Sequence, residues 1–170
     1  MAENRTPFLR NLITGDTKPL IMLGLFQAGA TQAIKRGELL ELDTGNFVPL
    51  DADQSMAGVV AIAAEEIKSG DRAGYYRILV PRPGDVFEFE LAAAGANAVG
   101  TVVYWSDSET VTITAGSNQL GTIVSQDHYP QRQGHLADDA SPDQGTSVRS
   151  ASYAGITILA AASYYAALQE

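Results

Sequence analysis

Few side chains in this chain could do chemistry, and their spacing brings none of them together. The histidines are His128 and His135, both in one irregular polar stretch. With Asp127, Asp138 and Asp139 they could be drawn as a metal site, but the spacing fits no common ligand pattern. A Ser125–His128–Asp127 triad fails for another reason: a triad needs groups converging from separate elements, which sequence neighbours seldom supply. No G-x-S-x-G elbow is present. The run Ala94–Gly100 holds two glycines with no lysine after them, so it does not make a phosphate loop. Glu88 and Glu90 share one strand face, as a glycosidase pair would, but alternation makes that face the wet side of a half-buried strand. The absence of cysteine excludes a disulfide framework, a thiolate metal site and a cysteine nucleophile. The expectation is a non-enzymatic chain with no cofactor and no metal.

The bulk properties agree with that expectation. The chain has 170 residues, 45% hydrophobic and 18% charged, enough for one domain with a sizeable core. Its formal net charge of −9, without a basic run, argues against a nucleic-acid partner. Acidity keeps the chain soluble and also suits a surface facing outward from an assembly. No apolar stretch is long enough to span a bilayer, and residues 1–10 carry no apolar leader core, so no membrane partner and no export signal are expected.

The elements that would position any site read as short strands. Residues 1–19, with Asn4, Pro7, Gly15 and Pro19, read as an extended arm whose apolar anchors are Phe8, Leu12 and Ile13. Residues 20–170 read as a single β domain. Leu39–Leu42 and Phe47–Leu50 flank the turn signal Asp43-Thr44-Gly45-Asn46. Tyr75–Val80 and Val86–Leu91 flank Pro81–Asp85, whose two prolines force a turn. Thr101–Trp105 and Thr110–Thr114 flank Ser106–Glu109, and Gly121–Ser125 follows. Turns about every ten residues, with β-branched and aromatic residues between them, predict a mainly β protein: a small sandwich or barrel of Gly-bounded hairpins. At most one or two short helices fit, over the Ala-rich part of Met56–Lys68 and over Ala160–Leu168. The second region reads equally as a last strand through Ile156–Leu159. Residues 126–150 form a long polar loop, of a length that is commonly functional or disordered.

A repeat runs through this pattern. Gly37, its hairpin and the return Phe47-Val48 recur 63 positions later as Gly100, a hairpin and Val111. The same offset places Gly58-Val59-Val60 on Gly121-Thr122-Ile123. Paired aromatics supply the interface candidates. Strand neighbours face opposite ways, so Tyr75-Tyr76, Tyr104-Trp105 and Tyr164-Tyr165 each turn one ring outward. With Tyr129 in the polar loop, the candidate protein-interface residues are Phe8, Leu12, Ile13, Tyr75, Tyr104, Trp105, Tyr129 and Tyr164.

The run Gln32–Leu42 with Gly45 and Pro49, then Ala57–Ala61, Gly84–Phe87, Ala98–Tyr104 and Leu120–Val124, resembles the capsid cement, or head decoration, proteins of tailed bacteriophages. The likeness covers roughly residues 20–125 and Ile156–Leu159, as order and spacing of weak motifs. The long 126–150 segment and the extended N-terminus depart from it. The resemblance implies a trimeric β subunit, made in the host cytoplasm, that sits on the outer capsid of the virion. There it would bind the major capsid protein, clamp adjacent subunits and stabilise the expanded head. It implies no catalytic residue. The alternatives are another virion interaction module (head fibre base, tail component or carbohydrate-binding sandwich) and an enzyme using residues 126–150 as a lid.

Overall fold

The computed structural model describes residues 8–26, 33–50, 60–91, 98–105, 107–115, 119–126, 153–158 and 163–169. The protein is mainly β, as the turn spacing predicts. Among the described residues, eleven strands and one short helix run in the order β1 (Phe8–Asn11), β2 (Ile21–Phe26), β3 (Leu39–Asp43), β4 (Asn46–Pro49), β5 (Ala61–Ala63), β6 (Gly74–Leu79), β7 (Asp85–Leu91), β8 (Val102–Trp105), β9 (Thr110–Thr112), β10 (Gln119–Gln126), β11 (Tyr153–Ile158) and α1 (Tyr164–Leu168).

The strands form two sheets that share one plan. The first sheet has the order β2-β6-β5-β3-β4; the second has the order β1-β7-β11-β10-β8-β9, and the shared plan is that of its five strands β7 to β11, with β1 added at the edge. In each set of five, the first strand in sequence pairs with the fifth, the fifth with the fourth, the fourth with the second and the second with the third. The second sheet closes into a barrel by a parallel pairing of Glu90 with Thr110 and Leu91 with Val111. The first sheet curls the same way until β2 meets β4, where a Cβ on Gly24 would lie 2.5 Å from the Phe47 ring.

The backbone repeats in detail. Gly37 and Gly100 both hold left-handed φ, 94° and 93°. Gly37 N–H donates to Ala63 O as Gly100 N–H donates to Ile123 O, both at 2.8 Å. Ala63 N–H donates to Glu38 O as Ile123 N–H donates to Thr101 O, both at 2.9 Å. The 63-residue offset therefore holds from Gly37 into the hairpins. The third match slips by three: Ala61-Ile62-Ala63, rather than Gly58-Val59-Val60, stands where Gly121-Thr122-Ile123 stands.

Inward residues follow period two in both units except in β10, where a register shift between Gln119 and Gly121 lets Leu120 and Ile123 both face the core. Phe26, Leu40, Phe47, Ala61, Ala63 and Ile78 fill the first unit; Phe87, Phe89, Val103, Trp105, Leu120, Ile123 and Ile156 fill the second. The outward faces of β3, β5 and β6 contribute Leu39, Ile62 and Leu79 to the second core, which joins the two units.

Two expectations need correction. The described part of Met56–Lys68 is not helical: it is β5 and a bend, because both faces of Ala61–Ala63 are claimed by cores. The N-terminal segment is not a free arm over residues 8–11, because β1 pairs with β7 and buries Phe8 edge-to-face on Phe87, centroids 5.6 Å apart. The C-terminal region uses both alternatives, a strand through Ile158 and then the helix Tyr164–Leu168. The two-residue turn between β3 and β4 matches its sequence signal, with Thr44 at φ 45° and Gly45 at φ 87°.

Candidate interaction sites

Two exposed apolar features stand on this body. The first is the loop after β1, and it is held from below. Asn11, buried at the end of β1, is its pivot. Its Nδ2 donates to Asp85 Oδ1 at 2.8 Å and to the Pro83 carbonyl at 3.0 Å. Its Oδ1 accepts from Ile13 N–H and Thr14 N–H, each at 2.8 Å. Leu12 N–H donates to Gly84 O at 2.8 Å.

Asp85 is buried at the start of β7 and accepts a two-pronged contact from Arg82, whose Nε and Nη2 both lie 3.1 Å from its oxygens. Those hydrogen bonds push the Arg82 guanidinium pKa further up, against the partial burial that lowers it. Arg82 also donates to Asp16 and to the Lys18 carbonyl, so it ties down the far end of the loop. The result is a rigid mount whose tip, Leu12 and Ile13, is 50% and 73% exposed. Gly84 sits beneath that tip at φ 84°, where a Cβ would lie 2.7 Å from Ile13 Cγ1.

The second feature is the outer face of β2 and β6. Ile21, Leu23 and Leu25 point outward from β2, and Tyr75, opposite Leu25, is 68% exposed. Its neighbour Tyr76 turns inward onto Phe26, so this aromatic pair divides as period two requires. Beside Ile21 a shallow pocket of about 430 Å³ is lined by Pro19, Arg36, Glu65, Arg77 and Leu79, among others.

The remaining candidates lie elsewhere. Trp105 is fully buried and Tyr104 is half-buried, so this pair offers no outward Trp. Tyr164 is in α1, not a strand, and stacks edge-to-face on Phe47 at 5.2 Å. Phe8 is core. Tyr129, His128, His135 and the rest of the polar loop lie outside the described residues. Ser125 is on β10, while its proposed triad partners also fall outside them. Glu88 and Glu90 are half-buried on β7. Among the described residues no three His, Asp or Glu side chains gather where a metal could sit, and no helix is long and apolar enough to cross a membrane. Sequence reading missed the β2 stripe. Its signal was the uncharged alternation Ile21, Leu23, Leu25, which reads as core unless the sheet is known to leave that face open.

One buried carboxylate has a pH consequence. Glu38, 6% exposed, accepts from Lys35 N–H at 2.9 Å and from Ser108 Oγ at 3.2 Å. Burial raises its pKa above the ordinary glutamate value, outweighing those hydrogen bonds, which lower it. The folded state thus favours the protonated acid. The stabilisation is complete at low pH and is lost as pH rises through the folded pKa. Glu38→Gln keeps an acceptor for Lys35 and a donor for Ser108. Its urea midpoint, relative to wild type, should therefore rise between about pH 4 and about pH 7.

Comparison with known proteins gives no relative: no protein-family model matches the chain, and no curated protein and no solved structure matches it.

Proposed function

We propose that this chain is a structural virion protein that binds the outer surface of a phage capsid and cements adjacent major capsid subunits. The observation that carries the reading is the mounted loop. Two large apolar side chains are displayed on a tip whose backbone is fixed by Asn11, Asp85 and Arg82. A side chain held in place before docking loses little entropy on burial, which favours binding. Exposed apolar groups on a rigid polar rim suit a protein surface as partner. A body that binds only the assembled lattice stabilises that lattice by mass action. The capsid as the particular partner is what the resemblance of the strand motifs to phage capsid cement proteins implies.

The test is co-sedimentation with shells of the major capsid protein encoded alongside this chain. The wild type should pellet with expanded shells and not with unexpanded ones. Ile13→Asp places a charge in the docked contact and should weaken binding by about 100-fold, with little change in melting temperature, because the tip is exposed. Indifference of the wild type to both kinds of shell would end this reading.

A further inference from the structure

The two units meet at a seam, where one turn of the second lies across the start of β3 in the first. Three polar contacts cross there. Leu39 N–H donates to Ser108 O at 2.7 Å, Ser108 Oγ donates to Glu38 Oε1 at 3.2 Å, and Lys35 Nζ pairs with Glu109 Oε1 at 2.8 Å. Ser108 and Glu109 belong to the β8–β9 turn, whose described residues are Asp107–Glu109. The repeat shows what this turn adds. Thr101 holds the position of Glu38 in the second unit. It bonds within that unit to Ala98 and Ile123 and is half-buried, whereas Glu38 is buried.

The charges that act on Glu38 are Lys35, from the segment before β3, and Glu109, from the turn. β5 meets it through backbone, with Ala63 N–H donating to Glu38 O. Asp107 is occupied inside its own turn by Glu109 N–H, Thr110 N–H and the Thr110 hydroxyl. Lys35 also holds Glu109, so an ionised Glu38 shares that cation with a second carboxylate. Burial withholds water from it as well. A neutral Glu38 escapes both costs and keeps its hydrogen bonds, accepting from Lys35 N–H and donating to Ser108 Oγ. Lifting of the turn gives an ionised Glu38 the same relief, because it carries Glu109 away and admits water. The turn is the side that can yield: Asp107 is exposed and Ser108 and Glu109 are half-buried, while Leu39 and Leu40 lie wholly in cores.

We propose that the β8–β9 turn is a proton-operated latch between the two units, closed over a neutral Glu38 and lifting from an ionised one. Acid tightens the seam and neutral pH loosens it. The raised pKa of Glu38 in the closed state, caused first by burial, has the sign this requires. Opening restores an ordinary carboxyl, so it grows as pH rises from the ordinary glutamate range to the folded pKa and then levels off. The latch works within one chain and is independent of the capsid reading.

Amide hydrogen exchange of the full chain tests it. Leu39 N–H is released when the turn lifts, whereas Ile123 N–H, bonded to Thr101 O inside the second unit, needs unfolding. Between about pH 4 and about pH 7, Leu39 should exchange faster than Ile123 after correction for intrinsic rates, and low urea should barely change it. Its opening constant should rise by up to about tenfold per pH unit in the wild type and stay flat in Glu38→Gln. In the wild type alone, the side-chain carbon NMR titration of Glu38 should share its midpoint with the levelling of the Leu39 curve, a comparison that decides if Glu38→Gln does not fold. Leu39 protected as strongly as Ile123 would overturn the latch, because the turn would then leave only on global unfolding. The same pH course at Leu39 in wild type and folded Glu38→Gln, or a Glu38 titration apart from that course, would overturn it too.

Discussion

Gly121→Ala is expected to be severely damaging for a single added methyl, costing at least about 3 kcal/mol or preventing folding outright. Gly121 lies in the middle of the second barrel, opposite Val103 on one side and Ile158 on the other. A Cβ there would fall 1.9 Å from the Thr157 carbonyl oxygen and 2.9 Å from its carbon. Both are backbone atoms of a paired strand, so no rotamer change relieves the contact. Relief requires β10 and β11 to separate, which gives up ladder bonds and the packing of Ile123 against Ile156. Gly74→Ala is the control. Its Cβ would meet nothing within 4 Å, and its φ is not in the left-handed range, so its cost should stay within about 0.5 kcal/mol. Urea midpoints of the two variants give the comparison. A Gly121→Ala protein as stable as Gly74→Ala would refute the strand spacing in this barrel.

Asp85→Ala should cost about 3 kcal/mol, a fall in melting temperature of roughly 6–12 °C for a chain of this size. The carboxylate is fully buried and holds the Arg82 guanidinium, the Arg82 backbone N–H and the Asn11 amide together. Truncation leaves those donors facing one another with no acceptor between them. Because Asn11 also fixes Ile13 and Thr14, the variant should speed amide exchange at those two positions as well as lowering stability. Asp85→Asn keeps the oxygen toward Asn11 but turns an amide toward Arg82, so it should lose about half as much. Unchanged exchange at Ile13 and Thr14 in a folded Asp85→Ala protein would show that the loop is held by something other than this cluster.

The two sites differ in how far they could be read in advance. Pro81–Asp85 reads as a turn because proline and glycine restrict or permit backbone angles locally. Nothing local announces that Asp85 meets Asn11, 74 positions away. Leu12 and Ile13 read as anchors of an arm, and they are exposed, but on a fixed loop and not a loose extension. Phe8 has the same apolar character and is buried, because β7 offers it an edge. Trp105 reads as an interface candidate and lies in a core: period two establishes that Tyr104 and Trp105 face opposite ways without saying which way is in.

By itself, the sequence settles what depends on neighbours along the chain. It specifies strands by alternation, turns by Gly, Pro and Asn, and a duplicated unit by the recurrence of Gly37 and its hairpin at Gly100. Tertiary structure alone decides which face of each strand meets another surface. The same alternation that buries Phe87 and Phe89 exposes Ile21, Leu23 and Leu25, because burial is a property of the surface opposite, and only the packed sheets determine where such a surface exists.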